Sequence, residues 1–172
     1  GRAAGPRPAV PAVAPRRLDM HVRWRAGGCL PSPDATAMCT LIVHHRPDAD
    51  PSLIVGASRN ERYERPSSPP SWWVEDRDVP MFAPRDERAG GTWIGVNAEG
   101  TFAGLTNRFG SPPAPDRRSR GELVPRALEH RTARNAASTL ESLDPTDYNP
   151  FHLVVADDQT GWLVVSDGEL LT

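Results

Sequence analysis

The apolar residues of this chain come in short runs, and that restricts its fold more than any other feature. Cys39–His45 (CTLIVHH), Leu53–Ser58 (LIVGAS), Thr92–Val96 (TWIGV), Thr101–Thr106 (TFAGLT), Phe151–Ala156 (FHLVVA) and Trp162–Ser166 (WLVVS) have strand length and strand-type residues. Arg46-Pro47-Asp48 turns the first run back on the second, which makes a hairpin with a longer loop. Asn97-Ala98-Glu99-Gly100 turns the third run into the fourth, with Gly100 supplying a positive φ at low cost. Helical spacing is confined to the middle. Ser119-Arg120-Gly121-Glu122 has capping-box spacing ahead of Leu123, Val124, Ala127 and Leu128, and Pro125 falls in the first turns. Thr132–Leu143 is a second helix, stopped by Asp144-Pro145. Residues 64–90 (Pro66, Pro69, Pro70, Pro80 and Pro84) and 110–118 read as loops. Strands, a helix pair, then strands again predict an α+β fold with antiparallel sheets rather than a doubly wound parallel one.

A chain of 172 residues suffices for one domain with a sizeable core and is short for two. No apolar run approaches the roughly 20 residues that span a bilayer. Every basic residue is Arg, and the charge is uneven: residues 1–37 carry six Arg and two Asp, residues 38–172 fourteen Arg and twenty acids. The acidic main part gives no basis for nucleic-acid binding. Residues 1–37, which open GRAAGPRPAVPAVAPRR, are rich in Pro and Arg and lack apolar periodicity, so they are expected to be disordered. They fit neither a secretory signal nor a mitochondrial presequence. The preferred reading is that Met38 is the true start and that 1–37 is upstream sequence; a genuine extension is the alternative. The two cysteines, Cys29 and Cys39, are too few for a disulfide framework, which points to a reducing, cytoplasmic setting.

Cys39 is the sharpest chemical candidate. If Met38 initiates and is removed, Cys39 becomes the first residue, with a thiol and a free α-amine on one carbon. An α-amine with a pKa of about 8 takes the thiol proton without a separate His. Arg59 nearby would favour the thiolate. The plainer reading is a small buried hydrophobe at the start of a strand.

Several ordered blocks carry a resemblance. Met38-Cys39-Thr40-Leu41-Ile42-Val43 resembles the opening of the NRDE family, the Transport and Golgi Organisation protein 2 family. Ser58-Arg59-Asn60-Glu61-Arg62 sits where the Asn-Arg-Asp-Glu signature belongs, and Glu64-Arg65-Pro66 comes just after it. Gly90-Gly91-Thr92-Trp93-Ile94-Gly95-Val96-Asn97, Thr106-Asn107-Arg108, Ser119-Arg120-Gly121-Glu122-Leu123 and Tyr148-Asn149-Pro150-Phe151 resemble further blocks. Two signature positions differ: Ser58 replaces Asn, and Asn60 replaces Asp, which removes a carboxylate. Relative to the family the domain 38–172 is expected to be incomplete at its C-terminus. A more distant similarity links the chain to penicillin V acylases and conjugated bile acid hydrolases, which implies a four-layer αββα sandwich of the N-terminal-nucleophile type.

Carried over, the resemblance implies that Cys39 attacks an amide carbonyl of a small non-peptide substrate with its own amine as base. Asn107 would donate to the oxyanion, and Arg59 would hold the thiolate or a substrate carboxylate. The plain alternatives are a strand-end cap for Asn107 and an ion pair for Arg59. Ser58, Asn60, Glu61, Trp93 and Asn97 are family-signature positions. The eukaryotic branch implies a different function, a non-catalytic carrier for haem or acyl-lipid. Neither cofactor nor metal is expected, the partner is a small molecule, and the oligomeric state is left open. His44-His45 place one imidazole on each face of a strand, and Trp72-Trp73 cover a ligand or seal the core edge. Arg117, Arg118 and Arg120 read as a solvated loop, with phosphate recognition as the alternative.

Overall fold

The computed structural model describes residues 16–17, 39–61, 64–108 and 113–172. Cys29, Met38, Arg62 and most of the expected 1–37 extension lie outside the described residues. The strands are β1 (Arg16–Arg17), β2 (Thr40–His45), β3 (Leu53–Ser58), β4 (Ser67–Trp73), β5 (Met81–Asp86), β6 (Ile94–Asn97), β7 (Phe102–Asn107), β8 (Phe151–Ala156) and β9 (Gly161–Ser166). Helices α1 (Leu123–Leu128) and α2 (Ala133–Glu141) stand between β7 and β8. One sheet has the order β1-β9-β8-β7-β6-β5-β4, and β2-β3 form a separate hairpin. All registered pairings are antiparallel.

Two glycines show how the layers stack. Gly95 pairs with Ala103, and Ile94 with Gly104, so Gly95 and Gly104 point to opposite faces of the large sheet. A Cβ on Gly95 would lie 2.8 Å from Leu128 Cδ1 of α1. A Cβ on Gly104 would lie 3.0 Å from Leu41 Cδ2 of β2. The helices therefore cover one face and the hairpin the other. That arrangement makes three successive layers, α, β and β, of the expected four. The core fills the helix side: Met81, Leu105, Leu128, Leu140, Phe151 and Leu153 are almost fully buried there. Among the described residues no helix is long and apolar enough to cross a membrane.

The helix signals act locally as expected, with one difference. Thr132 Oγ1 accepts from Asn135 N and starts α2, while Ser119 Oγ accepts from Gly121 N in a 3-10 turn ahead of α1. Glu122, however, does not close a capping box; its carboxylate accepts from the Tyr148 hydroxyl at 2.5 Å and pairs with Arg118 at 2.6 Å.

The clearest departure from expectation is in residues 64–90, where two strands replace a loop. Proline runs against a sheet because it lacks an N–H to donate. Here Pro69-Pro70 sit in β4, the last strand of the sheet, and the β4–β5 register shifts between Ser68 and Ser71. The shift accommodates prolines in both strands, Pro84 included. Trp73 closes this end by donating from Nε1 to the Ala83 carbonyl at 3.1 Å, so it seals the core edge. Trp72 is exposed and tilted against Phe82 with ring centroids 5.6 Å apart.

Two polar residues tie the helices to the sheet. Asn97 is 3% exposed and donates to the carbonyls of Leu128 and His130, while its Oδ1 accepts from the amides of Glu99 and Thr101. Its role is to clamp the end of α1 to the β6–β7 turn, where Gly100 has the expected positive φ of 85°. Asp157, in the β8–β9 turn, accepts from the amides of Ala133, Gln159 and Thr160. Burial would raise its pKa, but those amides outweigh burial and hold it below the ordinary value. A depressed carboxylate stabilises the fold above its unfolded pKa of about 3.9 and loses that contribution as pH falls through the folded value. Asp157→Asn should therefore lower the unfolding midpoint at pH 7, with the gap to wild type narrowing below about pH 4. A gap that stays constant down to pH 2 would contradict this assignment.

The Gly90-Gly91 pair has a steric role. Gly90 has a φ of 73°, and a Cβ on Gly91 would run into the Gly121 carbonyl, which accepts from Thr92 N at 2.9 Å. Gly91→Ala should destabilise the fold by about 1–3 kcal/mol, as overpacking against backbone does. Gly56→Ala, with nothing within 4 Å of the new methyl, should stay within about 0.5 kcal/mol of wild type. Equal urea midpoints for the two variants would show the contact to be unimportant.

Candidate active site

The register of the hairpin sets the first two residues of the site. Thr40 pairs with Ser58, the first residue of β2 with the last of β3. One step further on, Cys39 and Arg59 emerge opposite one another at the same end of the hairpin. Cys39 is partly exposed and is not in a disulfide. The Arg59 guanidinium stacks over the Trp93 ring at 4.5 Å, which joins the hairpin to the segment entering β6. Trp93 is fixed in turn through its carbonyl, which accepts from Leu105 N of β7 at 2.8 Å. Asn107 ends β7, beside Phe151 of β8.

These ends converge on a cavity of about 480 Å³, within the size range of small-molecule sites. Cys39, Arg59, Glu61, Trp93 and Asn107 all line it. Three other signature residues do not. Ser58 and Asn60 are hydrogen-bonded to each other at 3.2 Å on the exposed side, and Asn97 is committed to the α1 clamp. His44 and His45 are also absent from the lining; His45 Nε2 lies 2.9 Å from the Asp157 carbonyl oxygen.

One wall is built from alternating charges. Asp86 accepts from Arg65 Nε at 2.8 Å and pairs with Arg65 Nη2 at 2.7 Å, and the amides of Arg88 and Ala89 also donate to it. Burial would raise the Asp86 pKa, yet Arg65 and those amides together hold it below the ordinary carboxylate range. Arg65 also reaches Glu61 at 3.7 Å, and Glu61 lies 4.0 Å from Arg59 Nη2. That last separation is too long for a hydrogen bond. Arg59 Nη2 is buried with no hydrogen-bond partner among the described residues.

The facing wall is the 113–121 loop. The Asn149 side chain both accepts from Ala114 N and donates to Ala114 O, at 2.8 and 2.9 Å. Arg117 Nη1 donates to the Tyr148 carbonyl at 2.7 Å, and Arg120 Nη1 donates to the Pro150 carbonyl at 2.8 Å. Burial, with the hydrogen bond to the Glu122 carboxylate as the second cause, pushes the Tyr148 phenol up to about 12. The loop read as solvated in the sequence is therefore a pinned wall, and Arg117, Arg118 and Arg120 all line the cavity. The sequence favours a solvated loop for these three arginines, with phosphate recognition as the alternative, and singles out none of Arg65, Asp86 and Arg88 as a site residue. The density of Arg at 117–120 was the wall's only local signal.

The arrangement sets a thiol, a cation and a carboxamide around one space, with a positively charged surround. Such a set can hold an anionic group while a thiol attacks a nearby carbonyl.

Residues 38–169 match the family model described as Transport and Golgi organisation 2. The chain is 34% identical over 109 residues to the Transport and Golgi organization 2 homolog of Mus musculus. It is 35% identical over 111 residues to the Homo sapiens protein of that name. Each alignment covers 63% of this chain and 40% of the relative, so the chain spans less than half the length of the curated relatives it matches. Among solved structures, penicillin V acylase from Agrobacterium tumefaciens matches 83% of this chain and 44% of its own, at 17% identity and a TM-score of 0.44. So slight a structural likeness carries no argument about the site. The family match rests on the sequence over 38–169, and by it the chain belongs to the Transport and Golgi organisation 2 family.

Proposed function

We propose that the cavity is the active site of a cysteine-dependent amide hydrolase acting on a small, non-peptide C–N bond. The observation that supports it most is that Cys39, Arg59 and Asn107 line one cavity although they lie on three different segments. In this reading the mature protein begins at Cys39. Its α-amine accepts the thiol proton, and the thiolate attacks the amide carbonyl to form a C–S bond. Asn107 donates to the tetrahedral oxyanion. Collapse breaks the C–N bond, and the ammonium returns the proton to the departing amine. Water then cleaves the thioester and regenerates the thiol. Arg59, its guanidinium over the Trp93 ring, keeps a positive charge beside the sulfur or a substrate carboxylate.

The name of the relatives speaks of transport, and a carrier for haem or an acyl-lipid is the competing function. A long acyl chain calls for an apolar lining. Six arginines and two carboxylates surround this cavity, which favours a polar substrate.

The test is turnover of a panel of small chromogenic anilides by protein isolated from its native cell. For a substrate so found, Cys39→Ala should abolish hydrolysis. Asn107→Ala should lower kcat by roughly 10²–10³-fold with KM little changed, as loss of one oxyanion donor does. A Cys39→Ala protein that turns over at the wild-type rate would rule the proposal out.

A further inference from the structure

The cavity lining has the opposite charge sign from the part of the chain that forms it. Residues 38–172 contain fourteen Arg and twenty acids, yet six of those Arg and only two of those acids line this one space. Both carboxylates already have cationic neighbours, Asp86 in its paired bond to Arg65 and Glu61 with Arg65 and Arg59. Neither has an ion pair with Arg88, Arg117 or Arg120. Arg117 and Arg120 each spend one nitrogen on a neutral carbonyl, and a guanidinium has five N–H donors, so both keep donors in reserve. Arg59 Nη2 is buried without a hydrogen bond.

One more observation shows that positive charge is crowded here. Burial, and after it the charge of Arg65, lower the Arg120 pKa from its ordinary value, so the cations act on one another across the cavity. A buried, unpaired donor on an arginine is costly unless an acceptor arrives to meet it. A concave site of one sign also concentrates ligands of the other.

We propose that the arginines lining the cavity with Cys39 form an anion subsite, so that the substrate is an amide bearing a carboxylate or phosphate group. This deepens the hydrolase reading and rests on it only for the word substrate; the binding itself needs no chemistry. Arg88 and Arg118 are the more exposed members; Arg118 also pairs with Glu122 and Asp147, so it meets the anion with the donors left over. Arg117, Arg120 and Arg59 complete the set, all on the lining that includes Cys39. Planar guanidinium forks suit carboxylate and phosphate oxygens.

The experiment measures binding to the full-length Cys39→Ala protein by calorimetry, at low and high salt. Three probes separate the chemistries: N-acetylglutamate, its uncharged diamide, and N-acetylphosphoserine. At least one anion should bind, with the diamide at least tenfold weaker, and the tighter anion tells carboxylate from phosphate. Raising the salt should weaken the anions and leave the diamide unchanged. Arg88→Gln with Arg118→Gln should weaken the anion tenfold or more. Arg134→Gln, whose guanidinium lies over Trp162 and outside the cavity lining, should leave it unchanged. Equal binding of all three probes, no binding of any, or indifference to the Arg88 and Arg118 changes overturns the subsite. The hydrolase reading fails separately. Anion binding without turnover of any amide by wild type removes the nucleophile and keeps the subsite, whereas equal kcat/KM on neutral and anionic amides does the reverse.

Discussion

The site depends on how closely the β2-β3 hairpin lies on the large sheet. Gly104 has no side chain where Leu41 rests, and a methyl there would meet both Leu41 and the Phe102 ring. With the hairpin seated, its register delivers Cys39 and Arg59 to the end of β7, where Asn107 is. Arg59 stacked on Trp93 makes the same connection a second time, through a charge rather than a methyl-sized gap. The chemistry is thus positioned by two layers packing together, and no single loop carries it.

The other half of the cavity depends on a second close approach. Gly91 and Gly121 touch through backbone, and the Asn149 amide holds Ala114 by paired hydrogen bonds. Together they hold the 113–121 segment at the strand ends, where its arginines line the same cavity as Cys39. Repulsion among those cations is carried by the rest of the fold, which is why carbonyls of Tyr148 and Pro150 are used to anchor them. Charge crowding of this kind is more easily explained by a ligand than by stability.

Much of the fold is legible in the sequence because strand and helix signals are local. The hairpin strand Leu53–Ser58, the strand Phe151–Ala156 and the positive φ at Gly100 come from β-branched runs and turn chemistry. Residues 67–86 read as loop because proline content says nothing about where a strand sits in its sheet. At an edge with a register shift, Pro69, Pro70 and Pro84 lose little. Of the site, Cys39, Arg59 and Asn107 stand out by resemblance, and the structure groups them. Asn97 shows the limit of that route: a signature residue whose four side-chain hydrogen bonds are all structural. The arginine wall is legible only as an alternative at Arg117, Arg118 and Arg120, because its members come from separate segments and a charge run in isolation looks like any solvated surface.

The central claim is that a thiol and an unblocked amine share one residue at this cavity. Intact-mass analysis and amino-terminal sequencing of the protein taken from its native cell measure that directly. The account predicts a mature chain whose first residue is Cys39. A functional protein that retains Met38, or anything before it, would contradict the account, since the nitrogen would then be an amide with no proton-accepting capacity.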